Sequence, residues 1–239
     1  MKDSIAIFSD IHGNYQALTS ILNDINNKGI KKIYCLGDII SIGPCSRECL
    51  DLVMNSNIKT VLGNHEIYFT RGTKIDKKAD HEQKDHNLWT ASMLNKKHKE
   101  YLLKCPFKIE DTIGEYKLSF QHFLFKDNYE KKSYPFKPIK FVYQNDKEDI
   151  LNKLDADITF IGHEHKAYKF KNNNKKLIDI GSSGCTKNNE TFYTLVTLNG
   201  KNISIKRIIL KYDRKAFIND FKSKKYPNQK EIGRIFFGL

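Results

Sequence analysis

The stretch Ile5-Ala6-Ile7-Phe8-Ser9-Asp10-Ile11-His12-Gly13-Asn14 decides how this chain is read. Its apolar run is continuous rather than alternating, the pattern of a short strand covered on both faces. The run ends in a carboxylate and an imidazole, two side chains that ligate metals. The construction recurs four times. Ile33 to Leu36 leads into Gly37-Asp38, and Thr60 to Leu62 into Gly63-Asn64-His65-Glu66. Lys117 to Phe120 leads into Gln121-His122, and Ile158 to Ile161 into Gly162-His163-Glu164-His165.

Between the first runs lie helical patterns. Leu18, Ile21, Leu22 and Ile25 share one helix face, as do Cys49, Leu50, Val53 and Met54. Strand-helix-strand order predicts βαβ units and an α/β fold, in which ligands gather at the carboxyl ends of the strands. Five strand ends would then meet at one crevice. In extended backbone, residues i and i+2 point to one side, so Asp10 with His12 and His163 with His165 are expected to face inward together. The glycines before Asp38, Asn64 and His163 are expected to permit tight turns.

Further along, Asp85 to Lys104 predicts one or two helices, with Leu88, Ala91, Leu94, Tyr101 and Leu102 as the apolar face and Pro106 as the stop. From Lys166 onward the pattern is β, over Ala167–Phe170, Lys176–Ile180, Thr191–Leu198 and Ile203–Leu210. Asn199-Gly200 supplies a hairpin turn. Tyr212 to Phe221 predicts a last helix. The closing Ile235-Phe236-Phe237-Gly238-Leu239 must pack on the core or on a partner. No repeat or linker divides the chain, so residues 1–239 are read as one domain with a helical insert at about 67–105 and a basic tail at about 222–239.

The 239 residues are 39% hydrophobic and 12% aromatic, too apolar for a disordered chain. No apolar run reaches the ~20 residues of a membrane span, and the start lacks the basic head and long apolar stretch of a secretory signal, so a cytoplasmic protein is expected. The five cysteines form no Cys-x-x-Cys pair and receive no role. The net charge of +13 suits an anionic partner. However, lysine prevails over arginine and is spread throughout, as in Asn172-Asn173-Asn174-Lys175-Lys176, which argues against specific nucleic-acid binding.

A single histidine at a strand end is ordinarily a hydrogen-bonded loop residue, and His81, His86 and His98 in the insert read as solvated surface. The ordered set is different. Its carboxylate, imidazole and amide ligands suit manganese, iron or zinc better than calcium or magnesium. Asp10 and Asp38 bring two negative charges against about four positive ones from two divalent ions, leaving a cationic site suited to phosphate. Asp38 has two oxygens and can bridge ions ~3.5–4 Å apart.

Taken together, Asp10-Ile11-His12-Gly13-Asn14, Gly37-Asp38, Gly63-Asn64-His65-Glu66, His122 and Gly162-His163-Glu164-His165 resemble the calcineurin-like metallophosphoesterases. Gly43-Pro44, Trp89-Thr90 and Gly181-Ser182 resemble their small bacterial phosphodiesterase-like branch. The resemblance spans roughly residues 3 to 200. It implies a four-layer αββα sandwich of two mixed sheets. It also implies two divalent transition-metal ions (manganese first; iron, zinc or nickel otherwise) and hydrolysis of a phosphodiester or phosphomonoester by metal-activated water. By position, Asp10, His12, Asp38 and His165 would hold the first ion, and Asp38, Asn64, His122 and His163 the second. His65 would protonate the leaving group, and Asn14 would contact substrate phosphate or merely cap the following helix.

Two departures stand out: Phe123 follows His122 where relatives often have Gly, and Asp179-Ile180-Gly181-Ser182 replaces Asn-Pro-Gly-Ser. The second motif continues Ile39-Ile40-Ser41-Ile42-Gly43, without the Asp-Arg-Gly of Ser/Thr protein phosphatases. The expected partner is a small phosphorylated substrate such as a nucleotide, with no membrane, and an oligomer remains open. The rival readings are a nuclease on the same metal core and a protein-interaction scaffold, the use a retromer subunit makes of this fold. Loss of a ligand would favour the scaffold, and here every ligand is present.

Overall fold

The computed structural model describes residues 3–72, 81–124 and 147–239. Residues 73–80, part of the helical insert expected at about 67–105, and residues 125–146 lie outside them. Strand β1 (Ser4–Phe8), β2 (Lys32–Cys35) and β3 (Lys59–Thr60) run parallel, with β9 (Glu190–Asn199) and β10 (Asn202–Lys211) added antiparallel, in the order β10-β9-β1-β2-β3. A second sheet has the order β4-β5-β6-β8-β7. In it β5 (Tyr116–Gln121), β6 (Ile158–Ile161) and β8 (Lys176–Asp179) are parallel, and β4 (Lys108–Ile113) and β7 (Tyr168–Lys171) are antiparallel edges.

The five motif-bearing strands therefore belong to two mixed sheets, as the resemblance implies. Each carries a parallel trio, along one side of the first sheet (β1-β2-β3) and at the centre of the second (β5-β6-β8). Strand β4 escapes the reading because Lys-Ile-Glu-Asp-Thr-Ile is a half-exposed edge with few apolar residues.

The continuous apolar runs are explained by cover on both sides. Ile5 and Ile7 of β1 face the second sheet, in a core with Tyr34, Leu36, Leu118, Phe120, Ile158 and Phe160. Tyr34 stacks on Phe120 with ring centroids 3.8 Å apart. The alternate residues Ala6 and Phe8 face outward onto Leu18, Ile21 and Ile25 of α1 (Tyr15–Asn27) and Cys49, Leu50 and Val53 of α2 (Ser46–Met54). On the far side, α6 (Lys147–Asn152) covers the second sheet through Leu151, which packs with Leu124, Ile161 and Leu177. Helices, sheet, sheet and helix make the four layers.

The insert holds α3 (Asn64–Arg71), α4 (His81–Ser92) and α5 (Lys96–Lys104). Its facing differs from the expectation. Leu88 is 59% exposed, while α4 buries His86, Asn87 and Thr90. His86 Nε2 accepts the Ile42 N–H (2.9 Å), and His98 is buried against Asp51 (3.0 Å). Two of the three insert histidines are therefore interior hydrogen-bonding groups, and only His81 is solvated. A polar residue that satisfies a buried backbone donor leaves no mark on hydropathy. The chain ends in α7 (Arg214–Ser223), α8 (Gln229–Ile232) and a π-helical turn, Gly233–Phe237. Phe237 is fully buried against Phe217 and Phe221, so the tail packs on the core. Among the described residues no helix is long and apolar enough to cross a membrane.

Candidate metal centre

The parallel trios of both sheets end at the same edge of the molecule, and their pairing continues beyond the strands. Asp10 N–H donates to Gly37 O (3.0 Å), His12 N–H to Asp38 O (2.9 Å) and Gly162 N–H to His122 O (2.9 Å). The two sheets are joined there by Ser183 N–H to Ser9 O (2.9 Å) and Gly184 N–H to Asp10 O (3.1 Å). Asp10, His12, Asp38, Asn64, His65, His122, His163 and His165 all meet at this edge.

The route differs from the extended-chain expectation. Asp10 (φ 53°), His12 (48°), Asp38 (52°), His163 (76°) and His165 (59°) all lie in the left-handed region. Each such non-glycine residue costs about 1–3 kcal/mol, and that cost concentrated on chemically active side chains marks a functional site. Of the preceding glycines, Gly37 (φ 92°) takes the turn conformation expected of it, whereas Gly63 and Gly162 have a different use. A Cβ on Gly63 would sit 2.2 Å from Asp38 Oδ1, and one on Gly162 would sit 2.4 Å from Asp10 Oδ2. They admit close approach of the carboxylates rather than a special turn.

Two groups of donor atoms share Asp38. His12, Asp38 and His65 form one, and Asp38, His122 and His163 the other, each with its ligand atoms within 4.8 Å of one another. Asp10 Oδ1 lies 3.3 Å from His165 Nε2 and 3.8 Å from His12 Nε2. His122 Nε2 lies 3.2 Å from Asp38 Oδ2 and 3.1 Å from Asn64 Oδ1, and His163 Nδ1 is 2.9 Å from that same Asn64 oxygen.

The far side of two rings shows which nitrogen faces inward. His122 Nδ1 donates to Leu36 O (2.8 Å) and His12 Nδ1 to Ile40 O (3.2 Å), because a carbonyl can only accept. Their Nε2 atoms therefore face carboxylate and amide oxygens, and without a cation the Asp38 carboxylate, against burial, raises His122 to about 9. Imidazole nitrogens converging on carboxylate and amide oxygens in a buried place fit divalent cations, which would displace that proton.

Burial lowers His12 to about 3 against the pull of Asp38, and burial with the nearby His122 lowers His163 to about 4, so both rings are neutral at pH 7. Burial opposes the charge on Asp38, but His122 and His65 hold it well below the usual carboxylate range. Asp10 is likewise held at about 2, through His165 and His122 against burial.

His65 does not stand at a strand end: it is the second residue of α3. Its N–H donates to Asp38 Oδ1 (3.0 Å), and its half-buried ring meets His12 edge-on, centroids 5.1 Å apart. Asn14 is the N-cap of α1. Its Oδ1 accepts from Ala17 N–H (3.0 Å) and its Nδ2 donates to Gly184 O (2.8 Å), so both ends of a fully buried amide are engaged.

Sequence reading assigned no role to Glu66. Fully buried at the third position of α3, it accepts from the N–H groups of Asp38 (2.7 Å), Ile39 (2.8 Å), Ile40 (3.2 Å) and Gly63 (2.9 Å). It clamps the loop that carries Asp38 onto the helix that carries Asn64. A glutamate three residues after a helix cap was the available signal. The terminal turn was missed too: Phe236 lies edge-on to His165, with ring centroids 5.7 Å apart.

The sequence pattern of the calcineurin-like phosphoesterase superfamily domain matches residues 4–201. An uncharacterized protein of Methanocaldococcus jannaschii is 29% identical over the whole of this chain and 99% of its own length. The symmetrical bis(5'-nucleosyl)-tetraphosphatase of Actinobacillus pleuropneumoniae is 35% identical over 65 residues, 26% of this chain and 24% of that one. Among solved structures, a hypothetical protein of Pyrococcus horikoshii superposes with a TM-score of 0.76 at 21% identity, covering 98% of this chain and 97% of its own. A metallophosphoesterase of Sphaerobacter thermophilus does so with 0.72 at 22%, covering 99% of each. These two likenesses are of fold.

Proposed function

The chain belongs to the calcineurin-like phosphoesterase superfamily, and from that premise we propose that it is a dinuclear metal-dependent hydrolase of small phosphoesters, nucleotides among them. One observation carries the reading: two convergent groups of lone-pair donors share the Asp38 carboxylate. Asp10, His12, Asp38 and His165 would hold one ion, and Asp38, Asn64, His122 and His163 the other. When bound, the ions supply an activated water and neutralise charge growing on the phosphoryl oxygens.

The chain's own residues do the rest. Ile40 O and Leu36 O fix the ring orientations of His12 and His122, and Glu66 fixes the Asp38 loop. His65, the one imidazole of the cluster outside the proposed ligand sets, donates a proton to the departing oxygen. A nucleotide substrate is supported by the short match to the nucleosyl-tetraphosphatases and by the half-buried Phe236 ring at the edge of the centre, a surface on which a base can stack.

The test is metal analysis joined to a substrate panel. Purified protein should carry about two equivalents of transition metal, as in two-metal sites. It should hydrolyse bis-p-nitrophenyl phosphate with manganese, lose activity on chelation and regain it when manganese returns. Dinucleoside polyphosphates and mononucleotides in the same panel test the substrate class. Activity that survives exhaustive chelation would overturn the proposal.

A further inference from the structure

Sequence reading found five strand ends bearing candidate ligands, but the parallel trios of the two sheets hold six strands. The sixth, β8, runs into Asp179-Ile180-Gly181-Ser182-Ser183-Gly184-Cys185 at the same edge of the molecule. That segment is pinned to the backbone after β1. Ser182 Oγ donates to Asp10 O (2.8 Å) and accepts from Cys185 N–H (2.9 Å), and Gly184 O accepts from Asn14 (2.8 Å). A Cβ at Gly184 would fall 1.9 Å from Ile11 O, so only glycine lets the segment lie this close.

The result is a third group of donor atoms. Cys185 Sγ, His12 and His165 present ligand atoms within 4.8 Å of one another, and the two Nε2 atoms are 3.0 Å apart. The His12 ring already spends its Nδ1 on Ile40 O, so its free lone pair faces this group.

We propose that Cys185 is a ligand of the cation held by Asp10, His12 and His165, and that its sulfur shifts this position's preference away from manganese toward softer ions such as zinc or cobalt. The inference rests on the metal-centre reading above. On binding, the thiol gives its proton to solvent and the thiolate sulfur bonds the ion. Imidazole with thiolate is a donor set that zinc favours, whereas manganese prefers oxygen ligands.

Cobalt(II) added to the metal-free full chain reads this directly. Bound cobalt absorbs in the visible whatever its ligands, while a cobalt–thiolate bond adds a charge-transfer band in the near ultraviolet. That band is expected in the wild type and in Cys105→Ser, whose cysteine lies away from the centre, and should vanish in Cys185→Ser with the visible absorption kept. Cys185→Ala should lack it too, which covers the case in which a serine hydroxyl takes the sulfur's place. In competition titrations Cys185→Ser should lose about 10–100-fold in zinc affinity and much less in manganese affinity. Visible absorption without the near-ultraviolet band in the wild type would overturn the proposal, as would equal losses for both metals. No cobalt uptake at all would overturn the metal centre and this ligand with it.

Discussion

Replacing Glu66 with glutamine tests how the centre is held together without touching a proposed ligand. One carboxylate oxygen accepts from Asp38 and Gly63, the other from Ile39 and Ile40. An amide keeps one oxygen, so whichever way it turns, two backbone N–H groups face an NH2 and lose their acceptor. A hydrogen bond to a charged acceptor is worth about 1.5–3 kcal/mol, so the gross loss is about 3–6 kcal/mol. Part is recovered because glutamine avoids burying a charge. Burial, with the charge of Asp38, pushes the Glu66 carboxyl up to about 7. A net loss of about 2–4 kcal/mol follows, or a Tm lower by about 4–16 °C for a chain of this length.

Urea unfolding of the metal-free protein should show a lower midpoint with an unchanged m-value. Metal affinity should fall as well, by about 10–100-fold, because Asp38 hangs from the clamped loop. Leu50→Ala, with a comparable loss of about 2–5 kcal/mol under α2, should leave metal affinity near normal. A Glu66→Gln protein within about 1 kcal/mol of wild type and with unaltered metal binding would refute the clamp.

Asp38→Asn removes the shared negative charge and should cost both ions, whereas Asp10→Asn should cost mainly one; elemental analysis of the two variants distinguishes them, and two retained ions in Asp38→Asn would contradict a bridging carboxylate. His65→Ala should keep its metal and lose about 10²–10⁴-fold in turnover, more for an alkyl leaving group than for p-nitrophenolate. Metal loss in that variant would make His65 a ligand, in keeping with its nearness to His12 and Asp38. Asp179 is raised to about 8, by burial first and then by the charge of Asp10. Its folded value exceeds its unfolded one, so its stabilising contribution is full below about pH 4 and is lost as pH rises through about 8. Asp179→Asn should therefore raise the Tm of the metal-free protein more at pH 9 than at pH 6, and a gain independent of pH would count against the assignment.

Much of this protein is legible residue by residue. The Ile5–Phe8 run announces a strand covered on both faces, since Ile5 and Ile7 serve one core and Ala6 and Phe8 another. The helix of Leu18, Ile21 and Ile25 is equally plain. The insert was read less well, because α4 turns His86, Asn87 and Thr90 inward to satisfy polar partners while Leu88 faces solvent.

The sequence alone determined which side chains gather, because each stands immediately after an apolar run and strand ends are local features. The apolar runs by themselves did not determine that they divide between two sheets, since strand pairing is a long-range choice; that arrangement came from the resemblance, and the structure bears it out. Nor could the sequence show that Asp10, His12, Asp38, His163 and His165 take left-handed backbone, a strain tolerable only where paired loops enforce it. Glu66 and Cys185 needed the tertiary structure for the same reason. Their importance lies in what lies opposite them: backbone donors from residues 38–40 for one, and the imidazoles of His12 and His165 for the other. A hydrogen-bond acceptor or a sulfur carries no sign of its partner until folding brings distant parts of the chain within a few ångströms.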